Sequence, residues 1–131
     1  MKPYIAYGMG DYLYELKEDY SIQTPIVCMA GQVPGFVELA QDGLLSIKAG
    51  YSWDGPSGPA VDTPDFMRGS LVHDALYQLM RERKLPQECR PVADEILRDI
   101  CLEDGMSRVR AWYVYWAVRL FAAGAAKAKL S

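Results

Sequence analysis

The sequence predicts an α+β fold: antiparallel strands at the N-terminus, a Gly/Pro-rich loop, then three packed helices. Three observations carry this. Residues 1–50 contain short runs of β-branched and aromatic residues divided by turn pairs. Residues 51–65 hold Gly55, Gly58, Pro56, Pro59 and Pro64, which together forbid regular structure. From residue 64 onward, apolar residues recur at helical spacing.

Residues 4–8, 12–24, 36–40 and 44–53 read as strands, separated by Gly10-Asp11, Pro34-Gly35 and Asp42-Gly43. The Asp42-Gly43 pair predicts a hairpin joining 36–40 to 44–53, with one face of the sheet buried. The first helix is expected over 64–84. Asp62 or Thr63 can cap it, Pro64 suits its first turn, and Phe66, Met67, Leu71, Leu76 and Met80 give it apolar surface. Ala93, Ile96, Leu97, Ile100 and Cys101 form the stripe of a second helix, about 91–101, and the short link from Lys84 to Arg90 makes the pair antiparallel. After Gly105 a third helix, 107 to about 123, is apolar nearly all round, with Trp112, Tyr113, Trp116 and Phe121 among its residues. It is expected to be the central core helix, between the sheet and the helix pair.

A chain of 131 residues suits one domain, 1–131. A net charge of -3 leaves no broad basic surface to neutralise phosphates, which argues against a nucleic-acid partner. Cys28, Cys89 and Cys101 are odd in number and lack zinc-site spacing, so they are expected as reduced, mostly buried thiols. Gly8, Gly10, Asp11 and Glu15 interrupt the apolar run that a signal peptide needs, and synthesis and retention in the cytoplasm is the expectation.

His73 is the only histidine, so any imidazole-dependent step must use it. Tyr77, four residues on, shares its helix face, while Asp74 is rotated by about 100° toward the flank where the Gly/Pro loop returns. Asp94 precedes Leu97 and Cys101 by three and seven residues, which sets a carboxylate on or beside the buried stripe, where it needs a partner. His73 and Tyr77 are the natural partners; Arg98, at i+4 on a solvated face, is the alternative. An imidazole oriented by a carboxylate can take a proton from water as that water attacks a carbonyl. A cation held by Asp74 and loop carbonyls, with Asp54 as a second carboxylate, would have only oxygen ligands, which favours calcium over zinc. With so few charged ligands, binding would be weak, on the order of 10⁻⁴ to 10⁻³ M. A phosphohydrolase of the multi-histidine kind is excluded by the single histidine. A serine hydrolase is excluded because Gly69-Ser70 falls within a helix.

The run His73-Asp74-Ala75-Leu76-Tyr77, with Asp94 21 positions after His73 and a Gly-rich loop before it, resembles the phospholipase A2 pattern. It is most similar to the disulfide-free phospholipase domain of parvovirus capsid proteins, over about residues 51–104. That resemblance implies His73 as general base, Asp94 as its orienting partner, Tyr77 as a hydrogen-bond donor between helices, Asp74 as the calcium carboxylate and Gly55 and Gly58 as part of the calcium loop, from which the added Asp54 is a departure. The Trp53–Pro59 and Val72–Tyr77 segments also resemble an uncharacterised family of phage and prophage proteins, domain of unknown function 1353. The resemblances together imply a phage-encoded, calcium-dependent hydrolase of phospholipid or another ester, either staying in the host cytoplasm or carried in the virion.

The stretch 111–126 carries Arg119 as its only charge and is shorter than the roughly 20 apolar residues that span a bilayer. Its aromatic surface, with Arg108, Arg110, Lys127 and Lys129, offers contact with a membrane surface or a protein. The rival to hydrolysis is therefore a non-catalytic phage protein that binds a host or virion protein through this surface. A His73–Asp94 hydrogen bond in an open cleft favours the enzyme, and a histidine sealed among apolar side chains favours the binder.

Overall fold

The computed structural model describes residues 7–9, 14–26, 31–33, 36–53 and 64–121, with side chains outside 7–9, 31–33 and 121. Among the described residues, seven strands precede three helices. The strands are β1 (Tyr7–Met9), β2 (Tyr14–Leu16), β3 (Tyr20–Gln23), β4 (Gly31–Val33), β5 (Val37–Leu39), β6 (Leu44–Ile47) and β7 (Ser52–Trp53), and the helices are α1 (Pro64–Arg81), α2 (Arg90–Glu103) and α3 (Arg108–Phe121). The strands form two antiparallel sheets, ordered β1-β2-β7 and β3-β6-β5-β4. The predicted α+β class, the hairpin and the three helices are all present.

In the larger sheet, alternation becomes rows of buried side chains. Tyr20, Ile47 and Val37 lie opposite one another across β3, β6 and β5, and Ile22, Leu45 and Leu39 form the next row. All six are buried, while Ser21, Gln23 and Glu38 face out, as a two-residue period requires. The β5–β6 turn closes on Asp42-Gly43. The Asp42 carboxylate accepts from the amide of Leu44 at 3.1 Å, and Gly43 holds φ at +96°. A Cβ on Gly43 would lie 2.3 Å from the carbonyl oxygen of Thr24 and 2.9 Å from that of Ile26, so both the dihedral and the space call for glycine.

The central helix is α1. Thirteen of its eighteen residues are buried, and it joins the strands to α2 in one apolar cluster. Two hydrogen bonds tie it to the strand ends: the Trp53 indole donates to Ser70 Oγ at 2.9 Å, and the Tyr51 hydroxyl donates to Gln78 Oε1 at 2.9 Å. Gly69 lets α2 approach closely, since a Cβ there would meet Cys101 Sγ and Leu97 Cδ1, each at 2.9 Å. The helix stops at Arg81 rather than 84, because Arg83 takes φ +60° and the Lys84 amide turns back to the Leu79 carbonyl at 2.7 Å.

After a 3₁₀ turn at Gln87–Cys89, α2 starts with Pro91 in its first turn and buries Ala93, Asp94, Ile96, Leu97, Ile100 and Cys101. It extends to Glu103, two residues past the expected end. Gly105, at φ +100°, completes the C-terminus, and Ser107 Oγ accepts the Arg110 amide at 3.2 Å to cap α3.

The expectation that α3 is the core helix is corrected. Only a narrow face of it is buried: Ala111 and Val114 join Phe66, Leu97, Cys101 and Met106, with Val118 packed against them. Val109, Trp112, Tyr113, Trp116 and Leu120 are exposed. An apolar sequence alone does not say which helix is covered on all sides, and α1, with its buried Arg68, Ser70 and His73, takes that place. No described helix is long and apolar enough to cross a membrane. Cys101 is a buried free thiol, pushed up to about 12 by burial, Cys89 is a partly buried one, and Cys28 lies outside the described residues.

Because Gly43 is required by both dihedral and space, Gly43→Ala should lower unfolding free energy by about 2 kcal/mol or more in urea denaturation. An equally stable variant would show that the hairpin relaxes around the methyl group.

Candidate active site

The α1–α2 pair brings together the three residues expected to share a site. His73 and Tyr77 stand one turn apart on α1 with ring centroids 4.1 Å apart, facing Asp94 on α2. His73 Nε2 lies 2.7 Å from Asp94 Oδ1, and the Tyr77 hydroxyl donates to the same oxygen at 2.5 Å. The other oxygen, Oδ2, accepts from Arg119 Nη1 of α3 at 2.9 Å. Asp94 is 0% exposed and His73 6%, so the expected hydrogen bond is formed but the ring is buried rather than set in an open cleft. The alternative pairing of Asp94 with Arg98 is not formed: Arg98 donates to Asp99 and lies over the Tyr115 ring.

Burial by itself would raise the Asp94 carboxyl pKa. The hydrogen bonds from His73, Tyr77 and Arg119 outweigh it, and the group sits below the ordinary carboxylate range. Burial, then the bond to Asp94, pushes the Tyr77 phenol above its ordinary value, so it remains a donor. Facing an ionised carboxylate, His73 Nε2 must carry the hydrogen, which leaves Nδ1 as the basic nitrogen of the neutral ring. The site therefore holds an imidazole with fixed orientation and tautomer.

Two arginines complete the arrangement, and sequence reasoning assigned neither of them a role here. Arg90 Nε donates to the Tyr77 hydroxyl at 3.1 Å, and its Nη2 donates to the carbonyls of Val118 and Arg119 at 3.0 and 2.7 Å, near the end of α3. Arg119 was legible in principle, as the lone charge in an otherwise apolar stretch must find a partner. Arg90 sits where nothing in the sequence marks it.

Asp74 follows His73 on α1 and is half-buried. Asp54, Gly55 and Gly58 lie outside the described residues, and among the described residues no group of three or more His, Cys, Asp or Glu side chains could hold a metal. Ser70 is occupied structurally: it is buried, accepts from Trp53 and donates to the Met67 carbonyl at 2.9 Å. No buried polar side-chain atom among the described residues lacks a hydrogen-bond partner.

Since the folded-state pKa of Asp94 is depressed, its network contributes stability that is complete above the unfolded carboxyl value, near 4, and is lost as pH falls through the lower folded value. Arg119→Met removes one donor and moves that folded value upward. The variant should lose about 2 kcal/mol at neutral pH, and its remaining acid-dependent loss should be smaller and finish at a higher pH than in the wild type, measured by urea unfolding between about pH 2 and 7. Superimposable pH profiles would show that Arg119 does not hold the carboxylate.

No curated protein and no solved structure matched the chain. Residues 36–118 match the family described as Protein of unknown function (DUF1353). The matched segment runs from the β5–β6 hairpin through nearly all of α3, spanning His73, Tyr77, Arg90 and Asp94 and ending one residue before Arg119. Well over half of the chain lies within that match, and the protein belongs to the DUF1353 family.

Proposed function

We propose that the protein is a phospholipase A2-like ester hydrolase that uses His73 to activate water against a phospholipid ester. The observation that carries this reading is the 2.7 Å contact between His73 Nε2 and a carboxylate that Tyr77 and Arg119 also hold. Nε2 is committed to Asp94, so Nδ1 is the nitrogen that would act as base.

In this mechanism His73 Nδ1 takes a proton from water as the water oxygen adds to the ester carbonyl. Asp94 stabilises the imidazolium that forms, without itself being protonated. The tetrahedral adduct then collapses as the imidazolium returns the proton to the departing alcohol oxygen, giving free acid and alcohol. Tyr77 and Arg119 hold Asp94 in one rotamer, so little reorganisation accompanies proton transfer. Calcium would be held by Asp74 with Asp54 and the carbonyls of Gly55 and Gly58, and when bound it would supply positive charge for the ester oxygen.

The test is fatty-acid release from phospholipid in mixed micelles with millimolar calcium. His73→Gln should lower the rate by about 10² or more, as expected on removing a general base, while costing only about 1 kcal/mol of stability for one buried hydrogen bond. Wild-type protein that releases no fatty acid from any headgroup class would overturn the hydrolase reading and leave the His73–Asp94 pair as a cross-link between helices. Activity that survives chelation would remove calcium while keeping the histidine mechanism.

A further inference from the structure

The outward face of α3 is not used by the site. Val109, Trp112, Tyr113, Trp116 and Leu120 are 82%, 64%, 50%, 43% and 68% exposed. Their spacing of three, one, three and four residues places all five on one side of the helix. Trp112 and Trp116 meet edge to face, with centroids 6.0 Å apart. Contiguous apolar surface beyond a few hundred Å² is uncommon on a protein that works alone in water.

Charge narrows the choice of occupant. Residues 105–131 contain Arg108, Arg110, Arg119, Lys127 and Lys129 and no carboxylate, although the chain as a whole carries -3. Arg110 turns inward to Asp65 at 3.2 Å and Arg119 to Asp94, which leaves the exposed Arg108 at the helix start as the described cation bordering the stripe. The segment thus offers tryptophan, tyrosine and aliphatic side chains with a cationic edge and nothing that repels anions. A helix of fourteen residues, about 20 Å long, is too short to span a bilayer but suits lying in its plane.

We infer that α3 is a docking helix for an anionic lipid surface, seated through Val109, Trp112, Tyr113, Trp116 and Leu120 at headgroup depth. The docking rests on the stripe alone; its use in hydrolysis rests on the reading above. The link between the two is Arg119, which lies between Trp116 and Leu120 in sequence yet reaches Asp94, while Arg90 grips the carbonyls of Val118 and Arg119. Lipid seated on α3 would therefore lie at a fixed distance from the His73 ring.

The experiment uses full-length His73→Gln protein, so that hydrolysis cannot alter the vesicles, floated with vesicles of phosphatidylglycerol or of phosphatidylcholine at low salt. Binding to phosphatidylglycerol is expected, about tenfold weaker to phosphatidylcholine, and reduced by about tenfold or more in a further Trp112→Ser/Trp116→Ser variant whose circular dichroism is unchanged. Absence of flotation with both lipids, equal binding to both, or binding indifferent to the double substitution would each overturn the inference. So would a concentration-dependent dimer in sedimentation that the double substitution abolishes, because the stripe would then be a protein interface. No arm reads hydrolysis, so failure of the hydrolase reading leaves the result interpretable.

Discussion

A carboxylate with no solvent exposure is the constraint on which the helical half of the protein depends. Asp94 sits on α2 and takes hydrogen bonds from His73 and Tyr77 of α1 and from Arg119 of α3, so one charge fixes three helices against each other. Burying such a charge alone would cost several kcal/mol, and the three donors are what make it tolerable. The same bonds that offset desolvation also leave the imidazole one way to face. Stability and candidate chemistry therefore share their atoms, and removing any donor acts on both.

A second buried polar cluster matches the first along the helix pair. Arg68, with its side chain 3% exposed, donates to the Tyr20 hydroxyl at 3.0 Å and forms ion pairs with Glu103 at 2.6 Å and Asp104 at 3.0 Å. Between the clusters, Gly69 meets Leu97 and Cys101 at the closest approach of the helices. Sliding α2 by one turn would separate Asp94 from His73 and Arg68 from its acids while bringing side chains against Gly69. Apolar packing supplies the bulk of the attraction, and these polar bonds specify the register.

Periodicity made the architecture legible before the structure. Alternation in 36–47 and the Asp42-Gly43 turn gave the hairpin, the i, i+3, i+4 pattern from Ala93 to Cys101 gave α2, and the four-residue step from His73 to Tyr77 put both rings on one face. What a periodic pattern does not encode is which element lies deepest. The most apolar helix, α3, proved to be the outer one, whereas α1 carries a buried arginine, serine and histidine because each finds a partner. Long-range partners such as Arg90 and Arg119 depend on how helix ends meet, and this follows from tertiary packing rather than local sequence. Asp54, Gly55 and Gly58, the sequence's other metal candidates, fall outside the described residues.

The proposed hydrolysis requires Asp94 to hold the imidazole in a single tautomer, with Nδ1 as its basic nitrogen. Because His73 is the only histidine, its two ring nitrogens can be observed without ambiguity by ¹⁵N magnetic resonance of uniformly labelled protein, at a pH where the ring carries a single proton. The geometry requires a slowly exchanging proton on Nε2, hydrogen-bonded to Asp94, and an unprotonated Nδ1. A proton on Nδ1, or two nitrogen signals averaged by rapid tautomer exchange, would contradict it.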